Sequence, residues 1–253
     1  MLNFTEYGNL NSKKSLLVVH GLFGSARNWG VISKRLSDER HVVTVDMRNH
    51  GESRWDDSHS YADLAGDLAE IIGNFGGQMD VLGHSMGGKA GMVLALTQPD
   101  LVNRLLVADI APVTYSHTQT PLINAMKSLD LSQVEKRSDA DRLLADQILE
   151  DPVRAFLLQS LDIKEKRWRL NHDALAANMD NIIGFPEDLR SVYQGPTLFL
   201  SGGASDYVLP EHRPLIRERF AKPYFAKIAG VGHWLHAEKP REFEASIRAF
   251  FDA

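Results

Sequence analysis

A single serine stands between glycines in the stretch DVLGHSMGGKAGM, at Gly83-His84-Ser85-Met86-Gly87, where an apolar run ends and a small-residue helical pattern begins. Gly-x-Ser-x-Gly at a strand-to-helix junction holds the serine in a strained turn and exposes its hydroxyl at the end of a sheet. Bulky neighbours at Gly83 and Gly87 would collide there. The helix that follows aims its first N–H groups and the positive end of its dipole at the same place. A serine in this position can also be an ordinary helix N-cap with no chemistry. The distinction rests on partners.

A serine hydroxyl is a weak nucleophile until a base takes its proton, and the base needs a carboxylate to orient it. Of the ten histidines, His233 in GVGHWLHAEKP follows the last strand-like run, is preceded by Gly230 and Gly232, and precedes the final helical pattern. His236 lies nearer the helix start and His84 points off the opposite side of the serine turn, so both are read as packing or hydrogen-bonding residues. Two aspartates compete for the acid. Asp206 lies in SGGASDYVLP after a buried-type strand, and Asp109 ends the preceding strand in VADIAP. Spacing does not choose between them. The oxyanion that develops on attack needs N–H donors. The small residues of HGLFGS, His20 to Ser25, let the N–H of Leu22 join that of Met86 in this role.

The elements that must position these groups alternate short apolar runs with longer amphipathic ones, which predicts an α/β fold with a mostly parallel sheet. Strands are expected at 15–20, 41–46, 79–83, 104–109, 196–202 and 224–230. Helices are expected at 29–36, 61–75, 85–96 and 242–251. The interval 112–194 holds helical stretches and no strong strand, so it reads as a helical cap inserted between two late strands of a core made of 1–111 and 195–253.

The 253-residue chain carries no cysteine, which removes disulfides, thiolate nucleophiles and Cys-ligated zinc. Its net charge is −5 and its 28 Lys and Arg are scattered, so it has no electrostatic footprint for nucleic acid or an anionic membrane. The N-terminus lacks a signal-peptide pattern and no run is long enough to span a membrane, so a cytoplasmic protein is expected.

Together HGLFGS, DMRNHGES, GHSMGGKAGM, DIAPV and GHWLHAEKP resemble the α/β-hydrolase fold superfamily and, more narrowly, the YbfF-type bacterial esterases and their mitochondrial relatives. The similarity runs from about Leu16 to the C-terminus and is weakest in the cap. It implies an esterase or acyl thioesterase with Ser85 as nucleophile and His233 as base, acting on a small-molecule substrate through an acyl-enzyme with no metal or organic cofactor. It favours Asp109 as the acid, because some members look to lack an aspartate matching Asp206. Asp206 stays the rival. A carbon–carbon bond hydrolase or lyase of the same fold, or a non-catalytic ligand-binding scaffold, is the alternative. Phe23, Phe156, Trp168 and Trp234 are candidates to line the substrate pocket, with Leu157, Leu161 and Phe185, though apolar residues at helical spacing are equally a cap's own core. The basic run Lys164, Lys166, Arg167 and Arg169 could meet a phosphate-bearing leaving group or be a solvated face.

Overall fold

The computed structural model describes residues 1–10 and 13–253. In chain order the first part comprises β1 (Phe4–Tyr7), β2 (Lys13–Val19), α1 (Gly30–Leu36), β3 (Arg40–Val45), α2 (Tyr61–Asn74), β4 (Met79–His84), α3 (Met86–Thr97) and β5 (Val102–Ala108). Then come α4 (Thr120–Ser128), α5 (Arg137–Leu144), α6 (Asp151–Leu157), a hairpin of β6 (Leu161–Asp162) and β7 (Arg167–Trp168), α7 (His172–Ala177) and α8 (Met179–Ile183). The chain returns through β8 (Tyr193–Gly202), α9 (Arg213–Arg219), β9 (Phe220–Ile228), α10 (Leu235–Glu238) and α11 (Pro240–Phe251).

Seven strands form one sheet in the order β1-β3-β2-β4-β5-β8-β9. Only the β1–β3 pair is antiparallel. The parallel strands read as continuous apolar runs because both faces are covered. Along β2, Leu16 and Val18 pack with Trp29, Ile32, Phe243 and Ile247, while Leu17 and Val19 pack against the side that holds α2 and α3. On α2, Leu64, Leu68, Ile71 and Ile72 are fully buried. Their burial contributes roughly 6–12 kcal/mol as an upper bound. That outweighs the ~1 kcal/mol helix penalty of a glycine such as Gly66. Ser60 caps the start of α2 by accepting from the Asp63 N–H.

The α/β architecture is as the sequence implies. The six expected strands are all present, with β8 and β9 beginning earlier than expected. The four-residue edge strand β1 and the two-residue strands β6 and β7 were not expected, since elements this short carry no readable period.

The parallel register brings the carboxyl ends of β2, β4, β5, β8 and β9 to one edge of the sheet. Side chains tie the stretch between β5 and β8 to the core: the Tyr61 hydroxyl donates to the Ile182 carbonyl at 2.7 Å and the Ser160 hydroxyl to the Phe23 carbonyl at 2.8 Å. Among the described residues no helix is long and apolar enough to cross a membrane.

Candidate active site

Ser85 is the single residue between β4 and α3, with φ 52° and ψ −121°. A non-glycine residue at positive φ is strained, and such strain persists only where the surroundings impose it. The imposing contacts are close ones. A Cβ on Gly87 would fall 2.5 Å from the carbonyl oxygens of Val19 and His20, so α3 sits against the end of β2 only because position 87 lacks a side chain. The Ser85 hydroxyl makes no capping bond to α3, so it is not consumed as an N-cap.

Asp109 follows β5 directly, also at positive φ (52°), and is fully buried. Its carboxylate accepts from the Gly202 N–H at 2.9 Å through Oδ1, and from the Ser205 hydroxyl at 2.5 Å and His233 Nδ1 at 2.8 Å through Oδ2. A carboxylate only accepts, so Nδ1 of His233 donates to it, which leaves Nε2 as the nitrogen facing away from Asp109. His233 keeps 20 % of its side chain exposed and lines the same cavity as Ser85. Asp206 is exposed and makes no hydrogen bond or ion pair among the described residues. The loop after β8 meets the site instead through its neighbours Ser205 and Tyr207. The Tyr207 ring stacks on His233 at 4.1 Å, and its hydroxyl bonds His117 Nε2 at 2.9 Å.

Of the two oxyanion candidates, Met86 opens α3 and Leu22 sits on a loop held by two buried histidines. His20 Nε2 accepts from the Met47 N–H at 2.9 Å, so its Nδ1 donates to the Gly21 carbonyl at 2.7 Å. His50 Nε2 accepts from the Phe23 N–H at 3.1 Å, so its Nδ1 donates to the Arg48 carbonyl at 2.9 Å. Burial pulls both below the ordinary histidine value, which suits rings that must stay neutral to accept. The loop reaches the serine turn: a Cβ on Gly21 would lie 3.1 Å from that of Ser85. The N–H groups of Leu22 and Met86 have no acceptor among the described residues.

His84 and His236 are placed as supports. His84 Nε2 donates to the His233 carbonyl at 2.9 Å, and burial holds its pKa well below normal. The His236 ring stacks on Trp29 at 4.4 Å, with its pKa lowered by burial to about 4.

The cavity at Ser85 measures about 230 Å3. Phe23, Phe156, Leu157 and Trp234 line it, as do Tyr61, Lys89 and Tyr115. Trp168 does not reach it: this residue is buried against His172, and Leu161 and Phe185 are likewise buried away from the cavity. The basic run is largely occupied, with Arg167 and Arg169 on Glu52, Arg169 also on Asp162, and Lys166 donating to the Val134 carbonyl. Lys89, Ser205 and Tyr207 were missed by sequence reasoning. The helical spacing of Lys89 from Ser85 was the one available signal. Among the described residues no three ligating side chains are grouped to hold a metal.

A family model for the alpha/beta hydrolase family matches residues 16–246. The sn-1-specific diacylglycerol lipase of Mus musculus is 40% identical over 93% of this chain and 80% of its own length. Esterase YbfF of Escherichia coli (strain K12) is 34% identical over 96% of this chain and 95% of its own. A solved structure of a marine microorganism esterase superposes with a TM-score of 0.93 at 37% identity, covering 99% of both chains. The match spans the nucleophile turn, both loops that flank it and the strand ends that carry Asp109 and His233, and on that basis the chain belongs to the alpha/beta hydrolase family.

Proposed function

We propose that the protein is a serine hydrolase that cleaves small carboxylic esters or acyl thioesters through an acyl-enzyme on Ser85. His233 Nε2 takes the Ser85 proton as the hydroxyl oxygen attacks the substrate carbonyl, and the N–H groups of Leu22 and Met86 receive the developing oxyanion. The tetrahedral intermediate collapses as His233 returns that proton to the leaving alcohol or thiol. Water then loses a proton to His233 and attacks the acyl carbon, and collapse of the second intermediate releases the acid and restores Ser85. Asp109 is the acid that keeps His233 in the reactive tautomer and stabilises its cation. Asp206 takes no part.

The observation that carries this reading is the Asp109–His233 contact at 2.8 Å beside a strained serine whose hydroxyl serves no cap. The named esterase and lipase relatives support the ester class. The cavity of about 230 Å3 is below the ~300–1,000 Å3 of typical small-molecule sites, which favours short acyl groups. Incubation with p-nitrophenyl esters from acetate to palmitate tests it. Turnover that peaks at short chains and falls to background in Ser85→Ala is expected. An active Ser85→Ala, or an inert wild type, would overturn the reading.

A further inference from the structure

Lys89 stands four residues after Ser85 on α3, with its backbone N–H bonded to the Ser85 carbonyl at 3.0 Å. The two side chains therefore leave the same face of the helix one turn apart, and long helical side chains lean toward the N-terminus. Lys89 is 1% exposed, yet it lines the cavity that holds Ser85 and His233. Its ammonium donates to the carbonyls of Ile183 at 2.7 Å and Gly184 at 2.5 Å, at the end of α8. It also lies 4.7 Å from the centre of the Tyr115 ring.

These contacts anchor the ammonium without neutralising it. Carbonyls and aromatic rings carry no net charge, and among the described residues the third N–H has no oxygen partner and no aspartate or glutamate lines the cavity. Burial alone, with no opposing charge, draws Lys89 down to about 7. A buried cation without a counter-charge is costly, and an anion delivered by a ligand relieves that cost.

We propose that this end of the cavity is an anion subsite. It receives the free carboxylate of a short dicarboxylic acid whose other carboxyl is the ester or thioester under attack. The assignment rests on the hydrolase reading above. The leaving group must lie where His233 protonates it, so the acyl part is assigned to the wall formed by Lys89, Tyr61 and Tyr115, whose ring centres lie 5.8 and 4.7 Å from the ammonium. Without a partner a carboxylate entering this apolar cavity would be strongly disfavoured, whereas an alkyl tail would be welcome. The two tails thus make opposite demands on Lys89.

The test pairs monoethyl esters of succinic, glutaric and adipic acids with ethyl butyrate, pentanoate and hexanoate of matching carbon number, and follows acid release by pH-stat. The wild type should hydrolyse at least one half-ester with kcat/KM equal to or above that of its alkanoate partner, and the best spacer measures the distance to the ammonium. In Lys89→Met the ratio of half-ester to alkanoate kcat/KM should fall at least 100-fold. That ratio is taken on one preparation, so incomplete folding divides out, and the wild-type comparison stands without the variant. A wild type that favours every alkanoate by 100-fold or more, or a ratio unmoved by Lys89→Met, would overturn the subsite and leave the hydrolase reading intact. An enzyme that cleaves p-nitrophenyl esters but none of the six would overturn the subsite alone, and one inert toward both sets would overturn both.

Discussion

Replacing Asp109 with asparagine keeps the shape of the site and inverts its hydrogen-bond logic. The Gly202 N–H at 2.9 Å demands an acceptor at the Oδ1 position, so the amide oxygen of the asparagine must sit there and its NH2 group must occupy the Oδ2 position. Ser205 can adapt by accepting instead of donating. His233 can adapt only by moving its proton from Nδ1 to Nε2, the nitrogen that accepts from Ser85 in the proposed mechanism. Restoring the reactive tautomer sets two N–H groups against each other in a buried place, at a cost of about 1–3 kcal/mol. The imidazolium also loses its carboxylate, worth about 4 kcal/mol for charge centres ~4 Å apart at an effective dielectric near 20, and less where the partly exposed His233 is screened. A combined loss of about 5 kcal/mol is roughly 10^4-fold in rate. We expect Asp109→Asn to lower kcat/KM on p-nitrophenyl butyrate by that factor with the thermal melt nearly unchanged, while Asp206→Asn stays within twofold of the wild type. A loss below tenfold for Asp109→Asn together with one above 100-fold for Asp206→Asn would refute the reasoning and return the acid to the loop after β8.

Ser205→Ala removes one of the three donors to Asp109 and should cost about 1.5 kcal/mol, roughly tenfold in kcat/KM, measured on the same ester. Gly87→Ala drives a methyl group into the Val19 and His20 carbonyls, which are backbone and cannot yield, so a loss of about 3 kcal/mol or more is expected in denaturant unfolding. Burial lowers His59, His172 and His236 to about 4 from 6.5, so the unfolded chain binds more protons and stability falls as pH drops from 6.5 toward 4. Each contributes a loss of about 2 kcal/mol at pH 5, and His236→Phe should lessen the fall in Tm between pH 7 and pH 5 by its own share, leaving the part due to the other buried histidines.

The parts of the site that were legible in the sequence are those whose constraints are contiguous along the chain. The turn at Ser85 needs a strand, two glycines and a helix within about a dozen residues, and all of them are local. The choice between Asp109 and Asp206 is of another kind, because it depends on which of two neighbouring strand ends faces His233 across the sheet edge. The β5 end turns its carboxylate inward at a positive φ, a backbone feature no side-chain pattern signals at an aspartate. Asp206 then has no place at His233, since Ser205 and Tyr207 on either side of it already hold Asp109 and the imidazole face. Trp168 failed as a pocket residue for a related reason: an aromatic in a helical cap is equally suited to the cap's own packing and to the cavity beneath, and only the fold of residues 112–192 decides. The support of the oxyanion loop by His20 and His50 joins residues 27 positions apart through neutral rings, which a sequence displays only as two unremarked histidines. Lys89 lies between these cases. Its spacing places it over the nucleophile, but its significance comes from what is missing around it. An absent carboxylate is a property of the whole cavity wall, assembled from eight separate stretches of chain, and becomes visible only when that wall is closed.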